Sequence, residues 1–396
     1  MAGSSFYATL NPPARILLGP GPSNVPPRVY QAMTAPVVGH LDPEFTSIMD
    51  DTVELLRSVF GTKNRLALPV SGTGSAGMEA AFCNLVEPGD KVIVGAAGLF
   101  GDRMVEVAGR CGAEVIPVRS EWGRIIELSA IEAALKQAGK VKLVALVHAE
   151  TSTGALQPLG EIALLAKQYD ALVLVDAVTS LGGIDVPVDR LGIDFCYSGT
   201  QKCLSCTPGL APITVSERGM EAIRNRQRKV QTWYLDLSLI ENYWSEGRAY
   251  HHTAPISMVY ALREALALVL EEGLEARYAR HWQNGRALQA GLQAMGLALH
   301  AQDGHQLPML TTVRIPEGVD DAPTRRTLLN EYNIEIGGGL GPLRGMIWRI
   351  GLMGYSSTRD NVLLVLTALE TVLAEQGFRC PQGAGVSAAN KVFKGG

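Results

Sequence analysis

The sequence predicts an α/β protein built on a mostly parallel sheet, and three observations carry that expectation. Short runs of Val, Ile and Leu without polar alternation recur between residues 65 and 216, as strands buried on both faces require. Helix-like stretches separate the runs, so each strand is followed by a crossover. Glycine reaches 43 of 396 residues, above an average near ~7 %, which suits many tight strand-to-helix turns.

The strand candidates are Leu66–Val70, Lys91–Val94, Glu114–Val118, Leu143–Val147, Leu172–Val175, Phe195–Ser198 and Ala211–Val215. Between them lie helix candidates Ala76–Leu85, Asp102–Cys111, Leu128–Gln137 and Glu161–Tyr169. Such alternation puts binding sites at the C-terminal ends of the strands. Beyond Pro255 the pattern changes to two helices, Ile256–Glu272 and Leu274–Met295, broken by Gly273. Strand candidates Leu297–Ala301, Thr311–Ile315, Ile334–Ile336 and Met346–Ile350 follow, with helices near Ala322–Glu331 and Asn361–Ala374. The expected organisation is an N-terminal arm (1–25), a large domain with helices on both sheet faces (26–273), a smaller C-terminal α+β domain (274–378) and a flexible polar tail (379–396).

Composition narrows the function classes. Hydrophobic residues make up 47 % and charged residues 19 % of the chain, which excludes a disordered or fibrous protein. With a net charge of −4 and no Lys/Arg-rich run, nucleic acid is not an expected partner. No uncharged apolar run reaches the ~18 residues of a membrane helix, and Met1 to Pro13 lacks the pattern of a signal peptide. The six cysteines have no framework spacing, so free thiols in a reducing, cytoplasmic compartment are expected. Cys203 and Cys206 form a C-x-x-C without a second pair or histidines at ligand spacing, and no metal is expected there. The last residues, Lys394-Gly395-Gly396, are not a peroxisomal tripeptide.

Several residues carry possible chemistry. Lys202 follows a buried strand in the run Tyr197 to Cys203; it is either a surface lysine or a buried amine with the lowered pKa that Schiff-base chemistry needs. Asp176 ends the apolar strand Leu172 to Val175, where an unpaired carboxylate is costly, so it either caps the next helix or meets a cation or strong donor. Lys202 lies one crossover unit downstream, so both fall at one sheet edge. A carboxylate and a lysine so placed match the needs of pyridoxal phosphate, whose ring nitrogen and aldehyde they would hold.

The segment Ser71-Gly72-Thr73-Gly74-Ser75-Ala76-Gly77 can cradle a phosphate at a helix N-terminus. It also spells G-x-G-x-x-G, but the next strand ends Val94-Gly95-Ala96-Ala97, without the acid that a dinucleotide site wants. Hydroxyls in His148-Ala149-Glu150-Thr151-Ser152-Thr153-Gly154 could bond a phenolic oxygen or cap a helix. Phe100 could stack on an aromatic cofactor or belong to the core. Arg349, in an apolar strand, is either in a structural ion pair or a bidentate site for a substrate carboxylate.

Taken in order, Gly19 to Asn24, Ser71 to Gly77, Glu150 to Gly154, Val175 to Val178, Ser198 to Lys202, Tyr250 to Thr253 and Trp348 to Gly351 resemble the alanine–glyoxylate aminotransferases, in the class V branch of pyridoxal-phosphate enzymes. The resemblance runs from about residue 15 to 375 and implies the fold-type I architecture. It implies that Lys202 is the Schiff-base lysine and Asp176 the partner of the ring nitrogen, with Val178 beside the cofactor. Thr73, Gly74 and Ser75 would meet the phosphate end together with Gln201, and Thr151 the phenolic oxygen. Phe100 stands where the animal enzymes usually have a stacked tryptophan, and Ser75 where they often have histidine. Tyr250 and Thr253 would reach the phosphate of the other subunit, making the active unit a homodimer, and Arg349 would hold the substrate carboxylate. His251 and His252 read as packing and turn residues.

The implied reaction is ping-pong transamination of alanine with glyoxylate, giving pyruvate and glycine. Serine–glyoxylate, ureidoglycine–glyoxylate and 3-hydroxykynurenine aminotransferases share most of these motifs. A cysteine desulfurase or lyase would want a mobile-loop cysteine, and the C-terminal part has none before Cys380. A non-catalytic binding protein would commonly lose the lysine or the acid, and both are present.

Overall fold

The seven apolar runs of the N-terminal two-thirds pair into one sheet. In the computed structural model, which describes residues 9–395, they are β1 (Leu66–Ser71), β2 (Lys91–Ala96), β3 (Glu114–Arg119), β4 (Leu143–Val147), β5 (Leu172–Asp176), β6 (Phe195–Tyr197) and β7 (Leu210–Val215). Residues 1–8 of the expected N-terminal arm lie outside the described residues. The strand order is β1-β7-β6-β5-β4-β2-β3, and only β7 runs against its neighbours. Every residue of β4 and β5 is buried, which explains a Leu/Val-rich spelling interrupted only by Ala145 and the terminal Asp176. Each such side chain removed from water contributes roughly 1.5–3 kcal/mol.

Helices cover both faces of the sheet. Among them, α1 (Pro43–Phe60) ends on Gly61, α2 (Gly74–Leu85) follows β1 and α3 (Leu99–Arg110) follows β2. The chain leaves β2 for β3 in one direction and passes from β4 through β5 to β6 in the other. The crevice where strand order reverses lies at the C-terminal ends of β2 and β4, the place where such sheets bind ligands.

Two further helices, α4 (Ile256–Glu272) and α5 (Leu274–Ala294), lead to a second sheet of β8 (Leu310–Arg314), β9 (Gly337–Gly338) and β10 (Ile347–Gly351), antiparallel in the order β8-β10-β9. The candidate strand Leu297–Ala301 makes only a single bridge, Leu299 to Val313. Ile334–Glu335 does not join this sheet either; it pairs in parallel with Ile16–Leu17. That pairing draws the N-terminal segment across the C-terminal half, where Leu18 is fully buried and its carbonyl accepts from the Gly351 N–H at 2.7 Å.

The expected flexible tail departs most from the sequence reading. After α6 (Arg359–Glu375), residues Ala384–Phe393 form α7, which packs on α5 and α6. The reason is close contact between small residues: a Cβ at Gly291 of α5 would stand 3.0 Å from the Gly385 carbonyl oxygen and 2.5 Å from Leu366. Ala389 is fully buried in the same cluster as Trp348 and Leu292. Among the described residues no helix is long and apolar enough to cross a membrane.

If α7 is an integral part of this core, Ala389→Asp puts an unpaired charge into it and costs ~3 kcal/mol or more. Ser387→Asp on the exposed side of the same helix shifts stability by less than ~0.5 kcal/mol. Urea midpoints of the two variants test this; equal midpoints would contradict the packing.

Candidate active site

The ends of β1, β2, β4 and β5 surround a cavity of about 160 Å³. Nine of the residues singled out from the sequence line it: Thr73, Gly74, Ser75, Phe100, Thr151, Asp176, Val178, Gln201 and Lys202. They come from five separate segments that local sequence cannot connect.

Asp176, the last residue of β5, is 4 % exposed. Its Oδ1 accepts from the Val178 N–H at 2.8 Å and its Oδ2 from the Tyr197 hydroxyl at 2.7 Å. Burial pushes its carboxyl up to about 6, while these two donors and the charges of Lys202 and Arg103 hold it down. Tyr197 is the partner that the sequence reading missed. It sits directly beside Asp176 in the parallel register of β5 and β6, so the two side chains share a sheet face.

Lys202 is buried, and its Nζ donates to the Pro20 carbonyl of the N-terminal segment. Burial, aided by the nearby Arg349 charge, brings its ammonium down to about 8. The alternative of an ordinary surface lysine is therefore set aside. The same segment approaches so closely that a Cβ at Gly21 would lie 2.5 Å from Lys202 Cδ. Gly21 also has φ +101°, so glycine is required there by contact and by backbone alike.

Around the cradle, Thr73 caps α2 without a side-chain hydrogen bond, leaving its hydroxyl and the first-turn N–H groups for a ligand. The Oε1 of Gln201 is buried without a partner. Glu150 organises the opposite wall. Its carboxylate, 3 % exposed, accepts from the N–H groups of Phe100 and Gly101 at 3.1 and 3.2 Å and from the Ser152 N–H at 3.1 Å. It thus fixes the start of α3, which carries Phe100, to the loop that carries Thr151. The sequence motif alone gives Glu150 no role; its position between an apolar strand and three hydroxyl residues is the available signal.

Arg349, on β10, stands beside this cavity rather than in its lining. It is 7 % exposed, and it donates to the carbonyls of Gly338 at 2.7 Å and Thr151 at 3.4 Å. Among the described residues it has no carboxylate within ion-pair distance, so the structural ion pair considered for it is absent there. Burial lowers its guanidinium to about 10. A buried cation held by two carbonyls is prepared for an anion.

Tyr250 and Thr253 are exposed and do not line the cavity; the Tyr250 ring packs on His40 with centroids 5.1 Å apart. Between them, His251 bonds the Trp233 carbonyl (3.1 Å) and His252 (2.7 Å), and His252 bonds the Ser71 hydroxyl (2.8 Å). With His251 Nε2 donating to the carbonyl, the chain runs His252 Nδ1–H to His251 Nδ1 and Ser71 O–H to His252 Nε2. In this order His252 donates with one ring nitrogen and accepts with the other, as a neutral ring does, and burial brings it down to about 4. Packing is thus the role of this pair, tied to the start of the cradle.

The chain matches the family model "Aminotransferase class-V" over residues 16–357. It is 45 % identical to a (S)-ureidoglycine–glyoxylate transaminase of Bacillus subtilis, with 96 % of each chain covered. It is 42 % identical to an alanine–glyoxylate aminotransferase of Callithrix jacchus, covering 94 % of this chain and 90 % of that one. A crystal structure of an alanine–glyoxylate aminotransferase from Nostoc sp. superposes with a TM-score of 0.90 at 50 % identity, covering 92 % of this chain and 97 % of that chain.

The burial of Asp176 has a consequence for stability. Its carboxyl titrates at about 6 in the folded protein against an ordinary 3.8. Between these values the folded state holds a proton that the unfolded chain has lost, so stability falls as pH rises through the window and stays lower above it. Asp176→Asn removes that loss. Without added ligand, the variant is expected to gain about 1–3 kcal/mol over the parent by pH 7 and almost nothing at pH 4. Unfolding midpoints measured across that range test it; a gain independent of pH would refute the assignment.

Proposed function

The chain belongs to the class-V aminotransferase family, and on that premise we propose that it moves the amino group of alanine to glyoxylate, giving pyruvate and glycine. The observation that carries this reading is the meeting of Asp176, Lys202, Gln201 and the Thr73–Ser75 cradle around one cavity, with Arg349 beside it and without a carboxylate partner among the described residues.

The residues present fit pyridoxal 5'-phosphate, the cofactor of this family. Thr73, Gly74, Ser75 and Gln201 offer hydroxyl, amide and N–H donors to a phosphate. The Gln201 Oε1 is buried without a partner and, as an acceptor, awaits a donor, while the Nε2 of the same amide is the end that could donate to a phosphate. Asp176 would face the ring nitrogen, Thr151 the phenolic oxygen, and Phe100 and Val178 the ring. When bound, the cofactor supplies a carbonyl for amine exchange and a ring that takes up electrons from the amino acid's α-carbon.

The chain's own residues do the rest. Asp176 would keep a proton on the ring nitrogen through its charge. Lys202, with its ammonium lowered to about 8, has an Nζ able to give up and regain a proton near neutral pH. With the cofactor bound, it would take the proton from the substrate's α-carbon as a base and return it, as an acid, to the carbon contributed by the cofactor's carbonyl. Arg349 grips the substrate carboxylate and orients the α-carbon. Pyruvate leaves before glyoxylate enters, so the kinetics are ping-pong.

Tyr250 and Thr253 are exposed and do not line this chain's cavity; exposed Trp233 and Tyr234 pack on His251 and His252, and exposed Tyr250 packs on His40. An exposed aromatic patch of this kind supports a homodimer in which these two residues serve the partner's cavity. The free cysteines support a reducing, cytoplasmic setting. In this reading residues 26–273 hold the cofactor, 1–25 are an arm, and 274–378, extended by α7, form the C-terminal domain. A second reading replaces alanine by a ureido-bearing donor, and the Bacillus subtilis relative favours it.

Glycine formation from glyoxylate with alanine, serine or (S)-ureidoglycine as donor decides between them. Alanine is expected to be the best donor; glycine from ureidoglycine alone would establish the second reading. Lys202→Ala should lose at least ~10²–10⁴-fold in turnover. Arg349→Gln should lose ~10–100-fold in kcat/KM, the loss of hydrogen bonds to a charged group.

A further inference from the structure

We propose that Arg103 supplies the positive charge that holds the cofactor's phosphate group. The inference rests on the reading of the cavity as a pyridoxal-phosphate site, and it assigns a residue that the sequence motifs did not mark.

Arg103 lies three residues after Phe100 on α3, hence on the same helix face. Its guanidinium carbon stands 4.9 Å from the centre of the Phe100 ring, and its Nη1 is 3.5 Å from the Ser75 hydroxyl. The side chain therefore bridges the aromatic wall and the cradle, and it lines the cavity with both.

Charge balance makes this position informative. Buried Asp176 lines the cavity, buried Glu150 holds its wall from behind by accepting from the Phe100 N–H, and a phosphate adds ~1.5–2 further negative charges. Among the described residues, the cationic side chains lining the cavity are Lys202 and Arg103. The Lys202 amine is committed to the carbonyl end, and Thr73, Ser75 and Gln201 are neutral. Arg103 is thus the one lining cation left for the phosphate on this chain.

Nothing else in the described structure claims it. Its neighbour Asp102 pairs with Arg119, and Arg103 has no carboxylate within ion-pair distance among the described residues, whereas Arg28, Arg57, Arg110 and Arg224 all do. Arg103 is an exposed residue. Its field nevertheless reaches Asp176, whose carboxyl it helps hold down. Stacking on Phe100 restrains a long side chain, which lowers the ordering cost when an anion arrives.

The rival role is mechanical, in which Arg103 only braces Phe100. Binding of two probes to the full-length protein freed of cofactor separates the two. Pyridoxal 5'-phosphate and phosphate-free pyridoxal are titrated, with intrinsic fluorescence as the readout, into the parent, Arg103→Gln and Arg103→Lys. The expected result is a ~10–100-fold rise in the Kd of pyridoxal phosphate for Arg103→Gln, largely recovered in Arg103→Lys. The Kd of pyridoxal should move by less than ~2-fold, because that probe lacks the group that Arg103 meets. Salt should also weaken phosphate-probe binding less in Arg103→Gln than in the parent. Equal losses for both probes would assign Arg103 to bracing Phe100 and overturn the proposal, as would an unchanged Kd. A parent protein that binds neither probe would overturn the reading of the cavity itself. Should Arg103→Gln fail to fold, the two probes on Arg103→Lys and Arg103→Met make the same comparison.

Discussion

A carboxylate at the end of a strand buried on both faces loses nearly all of its hydration, and the site is arranged around that cost. An isolated buried charge of this kind is worth several kcal/mol of destabilisation. Asp176 meets it with the Val178 N–H, the Tyr197 hydroxyl and the fields of Lys202 and Arg103. Its carboxyl is still raised, but only to about 6, so it stays ionised at neutral pH. The hydroxyl partner exists because β5 and β6 pair in a register that sets Asp176 beside Tyr197. A slip of one residue would turn Tyr197 to the other face and leave the acid unsupported. Strand register is thus part of the chemistry of the site.

Lys202 and Arg349 are the other side of this constraint. Both are buried cations, and each has been pushed down from its ordinary value, Lys202 to about 8 and Arg349 to about 10. Among the described residues neither has a carboxylate within ion-pair distance. Such unpaired charge is unfavourable for the folded protein alone and favourable once anions bind, which is how sites trade stability for function. The N-terminal segment holds the two in relation. It pairs with Ile334–Glu335, receives the Gly351 N–H on Leu18, accepts from Lys202 Nζ at Pro20, and donates from Ser23 Oγ to the Lys202 carbonyl at 2.8 Å. A segment of a few residues therefore ties the strand of Arg349 to the loop of Lys202.

Much of the architecture was legible beforehand, for a definite reason. Strands buried on both faces must be apolar throughout, and Leu143–Val147 was read with its observed limits, as was the helix Ile256–Glu272. The misreadings fall where burial depends on distant partners. Leu297–Ala301 looks like a strand but makes only one bridge. The polar, glycine-bearing C-terminus looks mobile, yet Gly385 and Ala389 fit a groove beside Gly291 that no local pattern announces.

The same division runs through the site. Sequence alone determined that a lysine, an acid, a cradle and an aromatic residue follow particular strands, because chemistry at a sheet edge needs those residue types directly after apolar runs. It could not determine what each one meets. Tyr197 as partner of Asp176, Arg349 without an acid, Glu150 joining two walls and Arg103 stacked on Phe100 toward Ser75 were decided by tertiary structure. The physical reason is range. Periodicity records whether a segment is buried, which each residue feels for itself. Hydrogen bonds and charge pairs depend on which segments, often more than a hundred residues apart, the sheet order brings within a few ångströms.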